Sequence, residues 1–199
     1  MNWYSRICLI VGALLMAVLY VAPIWSIDLK APQYPEGIGM KIWLTHFTGN
    51  VESINNLNHY IGMAHIEESM FPEFAYLPAV VGVLIALGLA AGLLGKRWLT
   101  WSWLGTLLLF GAAAMVDMYI WGYEYGHNLD PAAAIKVEGM AYQPPLIGYK
   151  QLLNFEAVSL PDVGGYALAV TIFLVFVAMW LDWRTKRKDL PVLPGVRLL

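Results

Sequence analysis

The chain has 199 residues, 59% of them hydrophobic and only 13% charged, with a mean hydropathy of +0.59 and a formal net charge of −2. These values lie outside the range of soluble globular domains and place the chain among integral membrane proteins. A single cysteine, Cys8, excludes an internal disulfide framework.

Crossing a bilayer takes about 20 mostly apolar residues in a helix that satisfies its own backbone. In chain order, the spacing predicts the first such helix over 7–24. One Arg before it and the poor cleavage site Ala22-Pro23-Ile24 argue for a retained anchor, not a signal peptide. A long loop, 28–77, follows, with Pro32, Pro35, Gly37 and Gly39 ahead of the apolar run Ile42-Trp43-Leu44-Thr45-His46-Phe47. The second helix, 78–95, carries a Gly88/Gly92 pair spaced for close helix packing. The third, 98–121, has Gly105 and Gly111-Ala112-Ala113-Ala114 as a small-residue face. The second loop, 122–165, contains the Pro144-Pro145 turn, and the fourth helix spans 166–183. The predicted fold is all-α: one membrane domain over 1–199, a four-transmembrane-helix bundle, with the two loops packed together as a cap. Each loop holds more apolar residues than it can bury alone. The 57–63 string is expected to lie on the 139–155 string, burying His59, with Asn55, Asn56, Asn58 and Gln143 hydrogen-bonded inside.

Arg6, Lys96, Arg97, Arg184, Lys186, Arg187, Lys188 and Arg197, eight of the twelve basic residues, fall on one side of these crossings. The positive-inside rule makes that side the cytoplasm, with both termini inside and both loops facing the periplasm of a bacterial inner membrane. Trp25, Trp98, Trp121, Trp180 and Trp183 stand at helix ends, where interfacial aromatics belong. Twelve of the fourteen acids lie on the outer side. That asymmetry reflects either simple avoidance of the inner side or an acidic face for a basic partner. Short ordered matches between the halves, the longest pairing Leu77-Pro78 with Leu160-Pro161, raise a parallel duplication as one reading.

All four histidines, His46, His59, His65 and His127, are on the outer side, and methionines lie near them. Imidazole with thioether suits copper, so His59, Met63, His65 and His127 form one candidate set, which Met140 could join; packed or hydrogen-bonded histidines are the alternative. Asp117, at membrane depth, is the second candidate, with Glu124 and His127 as a relay toward water for proton or quinol chemistry. Structural pairing of Asp117 with Lys136 or Lys150 is its alternative. No haem-attachment, P-loop, dinucleotide, serine-hydrolase or zinc-protease motif is present, and the topology excludes nucleic acid as a partner.

Four strings stand out as a set: Ala31-Pro32-Gln33-Tyr34-Pro35-Glu36-Gly37, Leu57-Asn58-His59-Tyr60-Ile61-Gly62-Met63, Tyr125-Gly126-His127-Asn128-Leu129-Asp130-Pro131, and Gly139-Met140-Ala141-Tyr142-Gln143-Pro144-Pro145 running on to Phe155. Together they resemble the NosB-like four-helix membrane proteins encoded alongside the second, Sec-exported clade of periplasmic nitrous oxide reductase. The resemblance implies a non-enzymatic accessory role for a periplasmic copper enzyme, through docking, electron supply or copper supply, with the reductase or a cytochrome c as partner. It carries over no functional residues. The expectations therefore run from docking, through copper handling by the His/Met set, to a quinol-linked electron-transfer subunit around Asp117.

Overall fold

The computed structural model describes residues 1–32, 34–135, 139, 141–152 and 155–188. Four of its helices are long and apolar enough to cross a membrane. Helix α1 (Trp3–Leu15) starts at an Asn2 cap, whose side chain accepts from the Ser5 N–H at 2.7 Å, and runs on as a 3₁₀ turn over Met16–Tyr20. The other three are α3 (Glu73–Leu94), α4 (Arg97–His127) and α5 (Val163–Lys188).

Helix α1 is the hub, packed along both α3 and α5. Small residues make this possible. A Cβ on Gly88 would stand 2.3 Å from Cζ2 of Trp103 and 2.8 Å from Cβ of Ala13, so the missing side chain lets α3 close on α1 and α4. Gly92 likewise sits against Ile10, and Trp103 is fully buried. Thr171 of α5 donates its buried hydroxyl to the Gly12 carbonyl at 3.0 Å, the kind of interhelical bond that lipid cannot replace. At one end of the bundle the basic residues gather. There Arg6 donates to the Gly92 and Leu93 carbonyls at the α3 C-terminus, and Arg97 pairs with the buried Asp182. This is the cation end.

At the other end the all-α expectation is corrected. The two loops build one five-stranded antiparallel sheet in the order β3-β2-β1-β5-β4, from β1 (Trp25–Ala31), β2 (Tyr34–Ile42), β3 (Phe47–Gly49), β4 (Gly148–Leu152) and β5 (Phe155–Pro161). The physical reason lies in the helices. Strand β1 follows α1 and β5 leads into α5, so two packed helices hold the strands side by side, and β1 pairs with β5 from Trp25↔Pro161 to Lys30↔Glu156. The buried Trp25 indole donates to Ser159 Oγ at 2.8 Å across this seam. Lys41 of β2 bridges Asp162 at 3.0 Å, tying the sheet to α5. Burial raises the Asp162 carboxyl, but the Val163 N–H and the Lys41 ammonium outweigh it and hold the group below its ordinary value.

Helix α2 (Val51–Ile61) covers one face of the sheet, with Ile54 packed beside Ile38 and Met40. Of the expected packing of 57–63 on 139–155, Leu57, Asn58, Ile61 and Met63 line one cavity with Tyr142 and Leu146, while the burial of His59 is corrected. The end of α2 is hydrogen-bonded to 130–135: the Gly62 carbonyl accepts from the Asp130 N–H at 2.8 Å and the Tyr60 carbonyl from the Ile135 N–H at 2.9 Å. His59 is exposed, because the apolar face of α2 is set by Ile54, Leu57 and Asn58, and His59 falls opposite it. The asparagine expectation fares better: Asn58 is buried and donates to the Ala64 carbonyl, and Asn55 exchanges two bonds with the Ile66 backbone. Asn56 is exposed. Residues 140, 153 and 154 of the second string lie outside the described residues.

The order of elements does not repeat between the halves. A hairpin directly follows α1 in the first half but directly precedes α5 in the second. The Leu77-Pro78 match falls inside α3, whereas Leu160-Pro161 closes β5.

Candidate functional site

Helix α4 is longer than the membrane requires. Its 31 residues reach about 46 Å at 1.5 Å per residue, against a hydrocarbon core of about 30 Å. Its buried residues fall in two groups, Leu99 to Leu107 near the cation end and Gly126 near the sheet. Gly126 presses against the backbone of Gln143 and accepts from the Tyr142 N–H at 2.9 Å. Between these two fixed points the helix stands away from the bundle.

The space left beneath it is a half-open cavity of about 820 Å³, within the size range of small-molecule sites. Its walls are the middle of α4, the beginnings of α3 and α5, the face of the sheet and helix α2. Most of the lining is apolar. An aromatic cluster forms part of it: Phe71 and Trp121 lie 4.6 Å apart between ring centres, and Phe47 meets both Phe71 and Phe74 edge-on at 4.9 Å.

Two acids break this apolar lining. Asp117 and Trp121 are one turn apart on α4, and Glu73 is the first residue of α3. The Trp121 indole donates to Oε1 of Glu73 at 3.1 Å. Glu73 and Asp117 line the same cavity, near enough for each carboxylate to feel the other's charge. Beside Asp117 the cavity holds Glu73, and of the two lysines expected to pair with Asp117 one is engaged elsewhere. Lys150 donates to the Gln143 carbonyl at 2.9 Å, and Lys136 lies outside the described residues. Tyr142, buried in the same cavity wall, carries a hydroxyl with no hydrogen-bond partner among the described residues.

The remaining candidates are dispersed. His59 and His65 are exposed, their rings 6.4 Å apart. Met63 faces the cavity, because the left-handed Gly62 (φ +80°) ends α2 before Met63 can stack under His59. His127 lies flat on Tyr123 at 4.0 Å, its Nδ1 bonded to the Tyr123 carbonyl at 2.9 Å. Glu124 is exposed one turn before the end of α4, and Met140 lies outside the described residues. Among the described residues there is no group of three or more His, Cys, Asp or Glu side chains that could hold a metal ion.

Sequence reasoning missed Glu73. Its signal was present: an acid directly before a long apolar run is a favourable helix start, and the flanking Phe71 and Phe74 mark the aromatic wall. Comparison with known proteins finds no matching family model, no matching curated protein and no matching solved structure.

Proposed function

We propose that this protein is a non-enzymatic, quinol-linked membrane subunit: it holds a lipid-soluble quinol in the cavity beneath the sheet and serves a periplasmic redox enzyme. The observation that carries the proposal is the apolar cavity itself, with the Glu73–Asp117 pair in its wall at the depth of the membrane boundary. An apolar body suits an isoprenoid tail, and the acid pair suits a polar head that donates hydrogen bonds.

The distribution of cations supports an orientation with both termini in the cytoplasm and the sheet in the periplasm of a bacterial inner membrane. The sheet, α2 and the acidic outer residues then form the face offered to a partner. The sequence resemblance supports nitrous oxide reductase as the enzyme served, directly or through a cytochrome c. Oxidation of one quinol releases two electrons and two protons. The chain has no haem or iron–sulfur motif, so the electrons pass to an oxidised haem or copper centre of the partner, and the protons to water at the outer face.

The test is a split in activity between donors. Asp117→Asn should slow quinol-dependent reduction of the partner by at least about tenfold, a typical loss for a group acting in proton transfer, while activity with an artificial water-soluble donor is unchanged. Equal activity with both donors in the variant and the parent would remove the proposal.

A further inference from the structure

Resting on the reading of the cavity as a quinol site, we infer that the Glu73–Asp117 pair, with Trp121 as the residue that positions Glu73, selects the occupant by its head: an aromatic ring carrying hydroxyl donors. The chemistry of the wall makes the choice. Both acids line the cavity, and the oxygens of a carboxylate accept and do not donate. A head that only accepts, such as the dicarbonyl ring of a quinone, gains no bond from the two carboxylates and can bond only elsewhere in the wall, as to the Tyr142 hydroxyl, and an anionic phosphate head meets like charge. A hydroquinone hydroxyl donates to a carboxylate, and such charge-assisted bonds are the strong ones.

The geometry favours a flat ring as well as a donor. Trp121 occupies Oε1 of Glu73 through its indole N–H, leaving the other oxygen free of that bond. Its ring lies 4.6 Å from Phe71, so the acid pair sits at the edge of an aromatic wall on which a second ring can stack or meet edge-on. Tyr142 is an independent sign of a missing polar partner. Buried hydroxyl groups are nearly always hydrogen-bonded, and this one lines the same cavity without a partner among the described residues. Glu73 thereby becomes a specificity-determining residue.

The experiment uses the full-length protein in mild detergent and follows quenching of its intrinsic tryptophan fluorescence. The probes are a short-chain alkyl hydroquinone, its dimethyl ether, which keeps the ring and tail but donates nothing, and a short-chain phosphatidylethanolamine. The parent protein should bind the hydroquinone on the order of tenfold more tightly than the ether, as a hydrogen bond to a charged group supplies. In Glu73→Gln and in Asp117→Asn that preference should fall to roughly the level of a neutral hydrogen bond, with ether affinity unchanged as the sign of an intact cavity. If the preference persists in both variants, the pair is not the selector, although the cavity still binds quinol-like molecules. If neither hydroquinone nor ether binds, the quinol reading itself falls. If phosphatidylethanolamine displaces the ether as well as the hydroquinone does, the assignment of the head is overturned.

Discussion

The two ends of the bundle solve opposite problems. At the cation end, helices meet through glycines, Trp103 is fully enclosed, and Arg6 and Arg97 are bound to carbonyls and a carboxylate. At the sheet end, α4 leans away and leaves a cavity of about 820 Å³ with two acids in its wall. Empty space forfeits dispersion contacts, and interiors are normally filled to crystal-like density. A chain that packs one end so closely has the means to pack the other. The open end is therefore the one we propose to hold the ligand, with the closed end as its support.

The largest effect should come from disturbing the closed end. Gly88→Leu drives a side chain into Trp103 and Ala13 and should cost about 3 kcal/mol or more by overpacking, read as loss of reversible thermal unfolding in detergent. Gly105→Leu is its control: nothing lies within 4 Å of a Cβ there, so stability should hold to within about 0.5 kcal/mol. A comparable loss in both would mean that the close approach at Gly88 is not what organises the bundle.

Smaller, and local to the seam between the loops, is Ser159→Ala. It leaves the buried Trp25 indole and the Leu146 carbonyl without their partner, which should cost about 1–3 kcal/mol. Hydrogen exchange should quicken in β1 and β5 and stay unchanged in α1 and α3. Uniform quickening through the helices would show the sheet and the bundle to be one cooperative unit.

The smallest effect is a pH dependence. The Asp162 carboxyl lies below its ordinary value of 3.8 because Val163 and Lys41 stabilise the charged form. Its contribution is therefore full above that ordinary value and is lost as pH falls through the lower, folded one. With Lys41 half exposed, it should be worth no more than about 1 kcal/mol. Lys41→Met should flatten the acid limb of the stability profile; an unchanged limb would assign it to other carboxylates.

The membrane helices were legible in the sequence because length and composition alone decide them. Their ends were less so: Pro78 suggested a start at 78, yet α3 begins at Glu73 and keeps the proline inside. The sheet was not legible. Strand β1 alternates poorly between buried and exposed positions, and its pairing with β5 depends on α1 and α5 being neighbours, a relation no local pattern carries. For the site, an acid at membrane depth was enough to single out Asp117, but Glu73 required the approach of α3 to α4. Within the His/Met set, His59, Met63 and His65 are close in sequence, yet Met63 lines the cavity while the two histidines are exposed.

The central claim, that the open end holds a lipid-soluble quinol, is tested most directly by what the protein carries out of the membrane. Full-length protein, Gly111→Trp and Gly105→Trp should be purified in mild detergent and extracted for isoprenoid quinol, measured as the total quinone it yields on oxidation, per mole of protein. Gly111 lines the cavity and Gly105 does not, and a Cβ at either position would meet nothing within 4 Å, so both variants should fold. The account predicts near-stoichiometric quinone in the parent and in Gly105→Trp, and its loss in Gly111→Trp. Equal quinone in all three proteins, or none in any of them, would contradict it.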